Sequence, residues 1–73
     1  MHHSELVTVV KERREALGIT QVHLAELAGV SLRTLKALEV GKGNPTLETI
    51  AKLIEVLGME LKLEIKAPQH DKE

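Results

Sequence analysis

Apolar positions recur along this chain with two different periods. Up to residue 58 they return every three or four residues; from residue 60 to 66 they return at every second residue. The first period predicts four helices. The first starts after Ser4, a side chain suited to capping a helix N-terminus, and carries a stripe of Leu6, Val9 or Val10, the alkyl stem of Arg13, Ala16 and Leu17. The β-branched run at residues 7–10 weakens its first turn, and Gly18 ends it. Thr20 caps a short second helix, residues 21–28, whose buried face is Leu24, Ala25, Leu27 and Ala28, ending at Gly29. Ser31 caps a third, residues 32–40, ending at Gly41. After a loop of Gly43, Asn44 and Pro45, Thr46 caps a fourth, with Glu48 near the positive end of its dipole. Its stripe is Leu47, Ile50, Ala51, Ile54 and Leu57, and Gly58 stops it.

In residues 60–66, Glu-Leu-Lys-Leu-Glu-Ile-Lys, apolar side chains alternate strictly with charges, which predicts a half-buried strand. Pro68 breaks it. The chain therefore divides into a helical domain at 1–58, a strand at 59–67 and a polar tail at 68–73, without internal repeats.

Composition narrows the chemistry. A chain of 73 residues is one domain, and one this short buries only about 60% of its unfolded surface, so it needs a staple. With no cysteine there is neither a disulfide nor a thiolate metal site, as expected in a reducing cytoplasm. His2, His3, His23 and His70 stand at no ligand spacing, so neither a metal nor another cofactor is expected. His2 and His3 read as a frayed terminus or as the remnant of an added tag. The absence of Phe, Tyr and Trp closes the stacking route to single-stranded nucleic acid. No run of about 18 apolar residues and no signal-peptide pattern occurs, which predicts a soluble, cytoplasmic protein without a membrane partner. The net charge of −1 argues mildly against nucleic acid, but Arg33, Lys36 and Lys42 outnumber Glu39 locally. No nucleophile–base pair, phosphate-cradling glycine loop or metal constellation supports an enzyme.

The second and third helices are joined by Ala28-Gly29-Val30-Ser31, a short connection in which Gly29 takes a left-handed conformation, Ala25 allows a close crossing and Val30 plugs the gap. On a helical wheel Thr34, Leu35, Leu38 and Glu39 fall on one side of the third helix, and the two Leu make that side core. Leu32, Arg33, Lys36, Ala37 and Val40 fall on the other. Such a face can enter a major groove, Arg pairing with guanine and aliphatic groups touching thymine methyls. An ordinary solvated face is equally compatible with the wheel.

The segments Gly18-Ile19-Thr20-Gln21, Leu24-Ala25-Glu26-Leu27-Ala28-Gly29-Val30-Ser31, Thr34-Leu35, Leu38-Glu39-Val40-Gly41-Lys42 and Asn44-Pro45-Thr46-Leu47 resemble the Cro/repressor-type, Xre-like helix-turn-helix family over roughly residues 14–58. The resemblance implies a mainly α, lambda-repressor-like domain of four short helices, followed here by the C-terminal strand. It implies a phosphate contact at Gln21, base contacts at Leu32, Arg33, Lys36 and Ala37 beside the cap residue Ser31, a backbone contact at Lys42, and a weaker one at Asn44. It also implies a structural ion pair of Arg14 with Glu39, locking the third helix to the first. The chain departs from the family at His23, where an acidic residue is frequent, and at Leu32, where the position is often polar. Leu32 would read a thymine methyl or mark a protein contact.

A lone strand must pair, and a second copy is the simplest partner. With two copies antiparallel about Leu63, Glu60 faces Lys66, Lys62 faces Glu64, Leu61 faces Ile65 and Leu63 faces itself; a slip of two positions sets like charges opposite. Alternating Glu and Lys that merely solubilise the segment is the competing reading. A helix-turn-helix followed by such a strand is similar to HipB-like antitoxins, which implies a HipA-like kinase toxin as a further partner. The expectation is a sequence-specific repressor binding a palindromic double-stranded operator as a homodimer, either an antitoxin or a stand-alone or phage-type repressor. The alternative is a protein-interaction module on the same scaffold, favoured by the net charge and by Leu32 and Val22 if exposed.

Overall fold

A computed structural model describes residues 3–66; Met1, His2 and residues 67–73 lie outside it, and with them Pro68, His70 and the polar tail. Four helices follow one another: α1 (His3–Ala16), α2 (Gln21–Ala28), α3 (Leu32–Glu39) and α4 (Leu47–Val56). The last three begin at hydroxyl caps. Thr20, Ser31 and Thr46 accept the backbone N–H of His23, Thr34 and Thr49, each at 3.0 Å. Helix α1 begins at His3, so its backbone already includes Ser4, ahead of the start expected from the sequence. Residues 7–10 are helical despite their strand propensity: Val7 and Val10 are buried, and tertiary packing outweighs the local preference.

The helix α2 packs on α3 and α4, and α1 on α3. Between them lies an aliphatic core in which Val10, Leu24, Leu35, Leu38, Leu53 and Leu57 are completely enclosed, with Val7, Ala25, Ile50 and Ile54 around them. The buried stripes are rotated from those expected. In α1 the inward residues are Val7 and Val10, with Leu6 partly covered, while Val9, Ala16 and Leu17 face outward. In α2 Leu27 is exposed. In α4 Leu47 (68% exposed) and Ala51 face outward, and Ile50, Leu53, Ile54 and Leu57 form the i, i+3, i+4, i+7 face. These helices have apolar residues on both flanks of the true face, so spacing alone leaves the phase open by one position.

Arg13 does not spend its stem in the core. Its Nε donates to the carbonyl of Leu57 at 2.9 Å and so satisfies an orphan acceptor at the end of α4. Two glycines shape the ends of α2 and α3. Gly29, at φ 70°, lets the Val30 N–H return to Ala25 O at 3.0 Å, and Val30 packs partly against the core. Gly41, at φ 78°, turns the chain so that the Lys42 N–H reaches Ala37 O at 2.8 Å, which folds Lys42 back along α3. Residues 60–66 contain no strand, and Leu63 and Ile65 are almost fully exposed.

Three helices meet at one carboxylate. Glu39 at the end of α3 is buried and accepts from Arg14 Nε at 2.7 Å, Arg14 Nη2 at 3.0 Å and Gln21 Nε2 at 3.0 Å. Arg14 Nη1 donates to Ile19 O at 2.8 Å, fixing the α1–α2 connection as well. The hydrogen bonds that Arg14 donates to Glu39 raise its guanidinium above its ordinary pKa, with the nearby Glu39 and Glu15 charges adding to it against the opposing effect of burial.

Two predictions follow from this packing. Leu53→Ala is expected to lose about 2–5 kcal/mol in urea unfolding, whereas Leu47→Ala should change stability by no more than about 0.5 kcal/mol; equal losses would contradict the observed phase of α4. Arg14→Ala and Glu39→Ala should each cost about 3–5 kcal/mol, because each strands a buried charge. The Arg14→Met/Glu39→Met double variant should melt at a higher temperature than either single Ala variant, and a lower melting temperature would count against the charge-stranding explanation.

Candidate nucleic-acid interface

The exposed side of α3 follows from its buried one. Leu35, Leu38 and Glu39 point into the protein, so at 3.6 residues per turn Arg33 and Ala37 stand at the middle of the opposite face. Lys36 lies on one flank of that face and Thr34 on the other. Arg33, Thr34 and Lys36 are exposed and Ala37 is half-buried. Leu32 is not an outward aliphatic group: it is half-buried and packs against the core cluster, while Val40 stands out at 67% exposure.

The loop after Gly41 returns beside this helix, and together they form an open concavity of about 270 Å³. Arg33, Thr34 and Ala37 line it from α3; Lys42, Asn44 and Pro45 line it from the loop. It therefore gathers four residues expected at the interface, Arg33, Ala37, Lys42 and Asn44. Its lining holds two cations and no carboxylate, although the whole chain carries a net charge of −1. Lys36, Leu32, Ser31 and Gln21 are not part of this lining.

Two expected contacts have prior engagements inside the protein. The amide nitrogen of Gln21 is turned toward Glu39 at 3.0 Å, so its inward N–H is used and only its second N–H can point away. A flipped amide would set an oxygen against the carboxylate, so Glu39 fixes the orientation. Ser31 Oγ accepts the Thr34 N–H at 3.0 Å and donates to Thr34 Oγ1 at 2.8 Å, which commits its proton. Thr34 itself is a residue the helical wheel assigned to the core side; it is exposed and lines the concavity. The Ser31-x-x-Thr34 spacing was the signal available for it, since an N-cap hydroxyl reaches the third residue of the helix it caps.

Val22 and His23 are exposed on α2. Among the described residues no His, Asp or Glu cluster could hold a metal ion, and no helix is long and apolar enough to cross a membrane.

The helix-turn-helix family pattern matches residues 10–63, which include α2, the turn, α3 and α4. An HTH-type transcriptional regulator of Methanothermobacter thermautotrophicus is 42% identical over 53 residues, covering 73% of this chain and 77% of that protein. Another from Haemophilus influenzae is 40% identical over 60 residues, covering 78% of this chain and 61% of its own length. The cryptic phage CTXphi transcriptional repressor RstR of Vibrio cholerae is 36% identical over 56 residues, 71% of this chain and 50% of that repressor. The chain thus spans between half and about three quarters of these relatives. A turn built on Gly29, a third helix with one buried and one cationic side, and this match over most of the length together place the chain in the Cro/repressor-type (Xre-like) helix-turn-helix family.

Proposed function

We propose that this chain is a sequence-specific double-stranded DNA-binding transcriptional regulator, acting as a repressor and working as a homodimer. The observation that carries the reading is the acid-free concavity in which Arg33 and Lys42 stand together beside the exposed face of α3. A helix with Arg at the centre of its free face can pair with guanine in a major groove, and a cation on the adjoining loop can meet the phosphates that border it. The names of the three relatives support the regulator role, and that of the Vibrio cholerae protein supports repression of the phage or stand-alone type. The protein-interaction alternative loses one of its supports, because Leu32 packs against the core.

Arg33, Lys36 and Ala37 are assigned to base edges, and Gln21, Lys42 and Asn44 to the backbone. Leu32 and Ser31 become supports for the start of α3 rather than contacts, because one packs inward and the other has its proton committed. In this assignment Arg33→Ala weakens binding by about 1–3 kcal/mol and relaxes preference at one base pair, and Lys36→Ala does so more weakly. Lys42→Ala weakens all sequences alike and lowers the salt slope by about one unit per half-site. Quantitative gel shifts at several salt concentrations on the DNA upstream of its own gene read both effects; unchanged affinity and preference in the Arg33→Ala and Lys36→Ala variants would remove them from the reading face.

The dimer rests on residues 60–66. Leu63 is 92% and Ile65 97% exposed in the single chain, so both have apolar surface to bury on a partner. Lys62 Nζ and Glu60 Oε2 lie 3.5 Å apart, which puts alternate charged residues on one side of the segment. Antiparallel pairing about Leu63 would cover Leu61, Leu63 and Ile65 and set Glu60 and Lys62 against Lys66 and Glu64 of a second copy. It would also fix two recognition helices about 34–36 Å apart on a palindromic site. Sedimentation should find wild type dimeric at tens of micromolar, Leu63→Pro monomeric through loss of a ladder N–H, and the Lys62→Glu/Lys66→Glu variant partly dissociated. A Leu63→Pro protein that stays fully dimeric would move the interface to a helix face.

A further inference from the structure

We infer that Thr34 is a DNA contact, its hydroxyl donating a hydrogen bond to a backbone phosphate oxygen; this deepens the DNA-binding reading above and rests on it. Thr34 is exposed and shares the concavity with Arg33, Lys42 and Asn44. Ser31 Oγ donates to Thr34 Oγ1 at 2.8 Å, so the threonine oxygen already acts as an acceptor. Its own proton has no acceptor among the described residues, which leaves an outward donor in a lining that has two cations and no carboxylate. The acceptor such a surface gathers is anionic. Hydroxyls in series polarise one another, and Thr34 becomes a better donor for receiving the Ser31 proton.

Position on α3 selects phosphate over base. Arg33 and Ala37 occupy the middle of the free face and would meet the groove floor. Thr34 lies on the flank that adjoins the loop carrying Lys42 and Asn44, where the rim of the groove presents the backbone. The fold supplies its own control. Thr46 and Thr49 make the same reciprocal pair at the start of α4, at 3.0 Å in both directions, but Thr49 is half-buried and outside the concavity.

The test compares Thr34→Val, Thr34→Ser and Thr49→Val in the full chain. The probes are a duplex selected by the wild-type protein from a random library and bulk genomic DNA. Thr34→Val should bind both about tenfold more weakly with an unchanged salt slope, since a neutral donor displaces no counterion. Thr34→Ser should stay within about twofold of wild type, and Thr49→Val should bind as wild type. Undiminished affinity of Thr34→Val overturns the inference. So does a loss confined to one base pair, which makes the hydroxyl a base reader, and so does an equal loss in Thr49→Val, which makes the effect one of helix capping. A wild-type protein that selects no duplex and ignores genomic DNA overturns the DNA-binding reading, and this contact with it.

Discussion

The buried carboxylate of Glu39 is the constraint on which the rest of the arrangement depends. A charge inside an aliphatic core is tolerated only when its hydrogen-bonding positions are filled. Here the filling groups come from two other places in the chain, the guanidinium of Arg14 on α1 and the amide of Gln21 at the start of α2. One residue at the end of α3 thereby fixes the relative placement of three helices. Packing alone would leave more freedom, because a core of Leu, Ile, Val and Ala has no directional contacts and no aromatic ring to key one helix against another.

That constraint reaches the proposed interface directly. Rotation of α3 about its axis decides which of Arg33 and Lys36 stands at the middle of the exposed face, and Glu39 pins that rotation from the opposite side of the same helix. The amide that Glu39 orients belongs to the residue expected on a phosphate. In the proposed interface, structural and recognition roles are coupled through Gln21, so a variant at Glu39 would alter both the stability of the fold and the orientation of a donor assigned to DNA.

The other device is economical in the same way. Gly41 returns the chain so that the Lys42 N–H bonds to α3 and the loop runs beside the helix. This brings Lys42 and Asn44 next to Arg33, and a chain that is slightly acidic overall acquires a locally cationic concave surface. The net charge does not report this surface, because among the described residues no carboxylate lines the concavity, and Glu39, the nearest in sequence, is paired inside.

The sequence by itself determined where the helices lie and how they are joined. The hydroxyl caps Thr20, Ser31 and Thr46, the glycines that end each helix, and the Arg14–Glu39 pairing implied by family resemblance are local or motif-level signals, and each is met by a contact at the expected place. It could not decide the rotation of each helix. Val9 and Leu17 were as apolar as Val7 and Val10, and Leu47 as apolar as Leu53; which of each set is enclosed depends on the neighbouring helices. The same holds for Leu32, read as free and found half-buried, and for Thr34, read as core and found on the concavity. Periodicity names a face only to within the width of one residue on the wheel, and only packed neighbours on one side of a helix remove that last degree of freedom. The alternation of residues 60–66 marks the other boundary: it specifies two faces, but among the described residues no second strand supplies the backbone groups that would make the segment a sheet.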